Sequence, residues 1–110
     1  MVMNPKIALV TGGSRGLGKD MALSLAKKGI DVILTYHTKK EEAEQVVNEI
    51  KQGGQKAAAL SFDAGDIRSV DGFLDTVLKT LKEKWQTDHF DFLINNAGVG
   101  ATILIPAVQE

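Results

Sequence analysis

Thr11-Gly12-Gly13-Ser14-Arg15-Gly16-Leu17-Gly18 is the stretch of this 110-residue chain whose residue types and spacing point most directly to chemistry. An apolar run (Ile7, Ala8, Leu9, Val10) leads into it and a helical pattern leaves it, so it reads as a strand, a glycine-rich turn and a helix N-terminus. Glycines let the backbone turn tightly and let a ligand approach with no Cβ in the way, while the unpaired N–H groups of the first helical turn face the same space. Such a place suits an anion, most often a phosphate.

The spacing of the glycines separates the readings open to this stretch. The dinucleotide fingerprint in its usual G-x-G-x-x-G form does not fit, since Lys19, Asp20 and Met21 follow Gly16 and Gly18; the glycines run G-x-x-x-G-x-G from Gly12 through Gly16 to Gly18. A P-loop fits from Gly13 through Gly18 and Lys19, but Asp20 stands where a hydroxyl should hold magnesium. A nucleophile elbow, G-x-S-x-G, is present as Gly12-Gly13-Ser14-Arg15-Gly16, and it would still need a histidine base and a carboxylate. A plain tight turn is the bland alternative, against which stand four glycines between Gly12 and Gly18.

A second motif, Asn95-Asn96-Ala97-Gly98, follows a later apolar run. With Thr-Gly-x-x-x-Gly-x-Gly after the first strand and this segment after a later one, the chain resembles the short-chain dehydrogenase/reductase family. The resemblance covers nearly the whole chain, and only the first half of a typical member.

The elements that must position these motifs follow in order. Leu17, Met21, Ala22, Leu25 and Ala26 repeat at three-to-four spacing, which puts one stripe of a helix against a sheet, and Gly29 caps it. Val32, Ile33 and Leu34 read as a strand buried on both faces, ending at Thr35-Tyr36-His37. A second helix carries Ala43, Val46, Val47 and Ile50 on one face and closes at Gly53-Gly54. Ala57 to Phe62 is a third strand, and Asp66 is placed to cap a third helix from Ile67 to about Trp85, with Val70, Phe73, Leu74, Val77, Leu78 and Leu81 as its buried stripe. Phe92, Leu93 and Ile94 form a fourth strand after a loop from Gln86 to His89, and Ala101 to Gln109 fits a loop leading toward a further helix.

The alternation predicts an α/β fold with a parallel sheet. Right-handed crossovers give the strand order 3-2-1-4, a Rossmann-like arrangement with flanking helices, and a switch point between strands one and four where a ligand sits outside the carboxyl ends. The glycine turn and the Asn95 to Gly98 segment meet there.

If the ligand is a dinucleotide, the end of the second strand distinguishes NAD from NADP, because an acid there binds the ribose 2′-hydroxyl and repels a 2′-phosphate. No acid stands at Thr35, Tyr36, His37 or Thr38, while Arg15 projects from the glycine turn and Lys39 and Lys40 follow closely. NADP(H) is therefore expected over NAD(H); in the family the chain resembles, an arginine just before the middle glycine goes with that preference. Gly12, Ser14, Arg15, Gly16, Leu17 and Gly18 of the turn are the expected cofactor-holding residues, with His37 and Thr38 at the end of the second strand as adenine-ribose neighbours and His37 not as a catalyst. The resemblance further implies that Asp63 and Ala64 contact the adenine, and that Asn96, Ala97 and Gly98 line the ribose side. Asp63 reads equally as a loop residue bonding its own backbone, the asparagines equally as braces of the central strands, and His89 as a surface loop residue.

No catalytic residue is assigned. The family's tyrosine, with a lysine four residues later, acts as general acid, and its only formal match is Tyr36 with Lys40, which the topology puts at the adenine-ribose edge. The chain is expected to supply the cofactor half of an oxidoreductase passing hydride between NADP(H) and a carbonyl or alcohol, with the catalytic half absent. A non-catalytic NADP-binding or assembly module is the alternative, ahead of a P-loop nucleotide hydrolase and a serine hydrolase at Ser14. An open edge at strand four would favour self-association.

Composition limits the rest. With 44% apolar and 25% charged residues the chain is an ordinary globular sequence of one domain at most, and a net charge of −1 argues against nucleic acid or anionic membrane as a main partner. There is no cysteine, no run long enough to span a membrane, and no signal peptide pattern from Met1 to Lys6, so a cytoplasmic protein is expected.

Overall fold

Each apolar run flanked by a turn signal becomes a strand, and the amphipathic stretches between them become the crossover helices. The computed structural model describes residues 6–12, 16–62, 70–95 and 103–106. In chain order the elements are β1 (Ile7–Thr11), α1 (Gly16–Lys27), β2 (Asp31–Tyr36), α2 (Lys40–Gln52), β3 (Ala57–Ser61), α3 (Val70–Trp85), β4 (Phe92–Asn95) and β5 (Ile103–Pro106). The sheet runs β3-β2-β1-β4-β5, with the first four strands parallel. The expected 3-2-1-4 order is thus present.

Alternation along the strands divides the core in two. Ala8, Val10, Val32, Leu34, Ala57 and Ile94 face α1 and α2, meeting Ala22, Ala43, Val46 and Ile50. Ile7, Leu9 and Ile33 face the opposite way, against Val77 and Leu81 of α3. β1 is buried along its whole length because it has a strand on each edge and a helical layer on each face. Among the described residues, no helix is long and apolar enough to cross a membrane.

Three expectations are corrected. Leu17 is 60% exposed and takes no part in the buried stripe of α1, where Gly18 and Ala22 are the buried residues instead. On α3, Leu74 and Leu78 are 45% and 43% exposed; Val77 and Leu81 sit on the line of closest approach to the sheet, and the two leucines fall on its flank. The third concerns the tail. Residues 103–106 form β5, antiparallel to β4 with Asn95 opposite Ile103 and Phe92 opposite Pro106, so the edge expected to be open at strand four is paired. Pro106 lacks an N–H and is tolerated because it ends an edge strand. Asp66 and the expected helical residues 67–69 lie outside the described residues.

Backbone signs at the helix ends match the sequence. Gly29 (φ +88°) and Gly54 (φ +100°) adopt the left-handed conformation after α1 and α2, and Ile30 N–H reaches back to the carbonyl of Leu25. Gly12 (φ +69°) and Gly16 (φ +62°) bound the turn between β1 and α1.

The amino end of β2 holds a buried carboxylate that sequence patterning does not single out. Asp31 is 1% exposed and accepts hydrogen bonds from Gln55 Nε2 (2.7 Å), Lys56 N–H (3.0 Å) and Trp85 Nε1 (2.7 Å). It ties the end of α3 to β2 and to the segment entering β3. Nearby, Asp91 Oδ2 accepts from Ile7 N–H at 2.8 Å, fixing the entry to β4 against the start of β1.

Two outcomes follow from this geometry. Asp31→Ala leaves three donors without their acceptor and is expected to lower stability by about 2–3 kcal/mol, read as a lower urea midpoint. Gly16→Ala is expected to lose about 1–2 kcal/mol in thermal unfolding from the left-handed backbone. A Cβ there meets no atom within 4 Å, so Asn, which tolerates that conformation, should restore part of the loss.

Candidate cofactor site

Parallel pairing puts the carboxyl ends of β1, β2, β3 and β4 on one rim of the sheet. From β1 the chain proceeds through α1 to β2 on one side, whereas β4, on the other side of β1, is reached only after α3 has crossed the opposite face. The two connections diverge above the gap between β1 and β4, which opens a crevice there. Thr11 lies opposite Asn95 in the register, so β1 and β4 end side by side on this rim. A long hydrogen bond, 3.5 Å, from Thr11 Oγ1 to the carbonyl of Ile94 crosses the same gap.

On the β1 side, Gly18 is buried in α1, as is Ala22 one turn further on. The first turn of α1 carries no acidic residue, and a helix N-terminus suits an anion. The space above Gly16 is open to a ligand, and exposed Leu17 forms an apolar rim beside it. Asp20 is exposed on α1. These features fit the pyrophosphate of a dinucleotide: bare backbone at the turn, a helix N-terminus beyond it, and an apolar shoulder.

At the end of β2, His37 and Thr38 are exposed. Beyond them a cavity of about 470 Å³ is lined by Thr38, Lys39, Lys40, Glu41 and Glu42. Its charges are mixed, two lysines beside two glutamates, and one carboxylate oxygen of Glu42 is shut off from solvent with no hydrogen-bond partner among the described residues. Tyr36 ends β2 and packs against the core on the α1 and α2 side, while Lys40 begins α2 after an intervening bend. Their four-residue spacing therefore places them on no common helical face. His89 is an exposed loop residue, with Nδ1 3.0 Å from Thr87 Oγ1.

Of the residues singled out by sequence, Gly12, Gly16, Leu17, Gly18, His37 and Thr38 all stand on this rim. Ser14, Arg15, Asp63, Ala64, Asn96, Ala97 and Gly98 lie outside the described residues; in the chain they fall within three residues after Gly12, Phe62 and Asn95, at or just past the ends of β1, β3 and β4. The sequence places Thr35 at the end of the second strand and gives it no role. Thr35, 1% exposed, accepts a hydrogen bond on Oγ1 from the N–H of Gly12 at 2.9 Å. Its signal in the sequence is a hydroxyl residue directly after the apolar run Val32 to Leu34.

Comparison with known proteins agrees with this arrangement. A family model described as short chain dehydrogenase matches residues 6–110. The 3-oxoacyl-[acyl-carrier-protein] reductase FabG of Staphylococcus aureus is 38% identical over 105 residues, covering 96% of this chain and 40% of that protein. Among solved structures, the landomycin C-6 ketoreductase LanV with bound NADP and rabelomycin superposes with a TM-score of 0.81 at 36% identity, over 86% of this chain and 38% of LanV. A short chain dehydrogenase from Burkholderia cenocepacia in complex with NADP gives a TM-score of 0.73 at 40% identity, over 86% of this chain and 36% of that one. The chain thus spans about two fifths of the length of the curated FabG it matches. None of these relatives favours the P-loop or serine hydrolase readings. A parallel sheet in the order 3-2-1-4, the glycine turn after its first strand, and the match along residues 6–110 together make this chain a member of the short-chain dehydrogenase family of oxidoreductases.

Proposed function

We propose that the chain forms the cofactor-binding half of a cytoplasmic NADP(H)-dependent oxidoreductase acting on a carbonyl or alcohol substrate. The observation that supports this reading is the register of Thr11 with Asn95, which puts the carboxyl ends of β1 and β4 side by side; the glycine turn follows the first of these in the chain and Asn96 to Gly98 follow the second. A dinucleotide laid across that gap meets backbone N–H groups on one side and the asparagine segment on the other. When bound, the cofactor supplies or accepts the hydride.

The residues of this chain bind and orient. Gly12, Ser14, Gly16, Leu17 and Gly18 surround the pyrophosphate, His37 and Thr38 the adenosine ribose, Asp63 and Ala64 the adenine, and Asn96, Ala97 and Gly98 the inner ribose. Arg15 is the group that selects the 2′-phosphate. Lys39 and Lys40 share their cavity with Glu41 and Glu42, so the local charge there is balanced, and the guanidinium provides the fork geometry a phosphate favours. Two of the similar structures are described with NADP, and the relatives named above include a reductase of 3-oxoacyl groups and a ketoreductase, which supports a carbonyl as the reacting group. No group in this chain is assigned to proton transfer. Copies of the chain associate through a sheet edge in this reading, with β5 standing where β4 was expected.

Fluorescence titration with NADPH, NADH and ATP tests the reading. Saturable binding of NADPH is expected, weakened about tenfold or more for NADH and by Arg15→Ala, the scale of a hydrogen bond to a charged group. Tighter binding of ATP than of NADPH would overturn it. For association, sedimentation velocity is expected to show a species larger than the monomer.

A further inference from the structure

Thr35 stands one residue beyond Leu34, the partner of Val10 in the β1–β2 ladder, and so lies level with the end of β1. Its hydroxyl oxygen takes the N–H of Gly12 at 2.9 Å across 23 residues of sequence, with Thr35 itself 1% exposed and Gly12 half-buried. Gly12 is where the chain leaves β1, with φ at +69°. A glycine in that conformation has a wide range of exits, and an external restraint on its N–H selects one of them. Threonine suits the task because its branched Cβ restricts χ1 and holds the oxygen in one place. The apolar neighbours of Thr35 on β2 would pack as well against the core without offering an acceptor.

We propose that Thr35 is a positioning residue of the cofactor site: acting through Gly12, it sets the direction in which the glycine turn leaves β1 and so prepares the turn for the pyrophosphate. This rests on the dinucleotide reading given above. Thr35 itself stays buried behind the turn. Its contribution is preorganisation, which lowers the ordering that binding would otherwise require.

The test compares the native chain with Thr35→Val, which keeps the shape and removes the acceptor, and with Thr35→Ser, which keeps the acceptor. Circular dichroism first establishes that all three are folded at the temperature used. NADPH and 2′-AMP are then titrated; the second ligand has the adenosine and 2′-phosphate and lacks the pyrophosphate. Thr35→Val is expected to weaken NADPH about five- to tenfold, the scale of one buried hydrogen bond, and to leave 2′-AMP unchanged. Thr35→Ser should restore NADPH binding to nearly the native level, and exchange of the Gly12 amide proton should be faster in the valine variant alone. Equal NADPH affinity in the valine and native chains overturns the proposal and leaves the cofactor reading standing. Equal weakening of both ligands overturns it as well, since that is a general loss of structure. Failure of the native chain to bind NADPH overturns the cofactor reading and the proposal with it.

Discussion

Pairing of β1 with a parallel strand on each edge is the constraint from which the other features descend. Once β2 and β4 are both aligned with it, their carboxyl ends must share a rim, and the helices that return the chain must lie on the two faces. The central strand is then closed to water on both faces and must be apolar throughout, as Ile7 to Val10 are. Turns that follow these strands are brought together although some eighty residues separate Thr11 from Asn95 in the chain. A crevice at this rim is a consequence of connectivity, and the residues placed there decide what enters it.

Polar groups are buried at both ends of β2. At the amino end Asp31 gathers donors from the adjacent Gln55 and Lys56, ahead of β3, and from Trp85 at the end of α3, and locks α3 onto the sheet. At the carboxyl end Thr35 takes a single donor, the N–H of Gly12. A carboxylate with three donors resists disturbance, whereas the hydroxyl of Thr35 contributes one hydrogen bond at the start of the turn.

Much of this was legible in the residues. The strands, the helices and their glycine caps follow from periodicity and from backbone preferences that act within a few residues. Leu17, Leu74 and Leu78 were read as buried because each fits a helical stripe; the stripe identifies a face of the helix, while the depth of burial depends on how far the sheet extends beneath it. Residues 103–106 were read as a loop because a run of three apolar residues before a proline has no periodicity of its own. Its strand conformation comes from the exposed edge of β4, which offers hydrogen-bonding partners.

The sequence by itself determined the α/β class, the position of the glycine turn and the family to which the chain belongs, because these depend on local spacing and on side chains that must be small or apolar wherever the fold is completed. Tertiary structure decided that Asp31 is a buried anchor, that Thr35 reaches Gly12, and that β5 lies beside β4. Each of these is a contact between segments far apart in the chain, with geometry that exists only after the sheet has assembled. Local preference acts over a few residues, and the acceptor for a given N–H is chosen by whatever the fold brings within 3 Å of it.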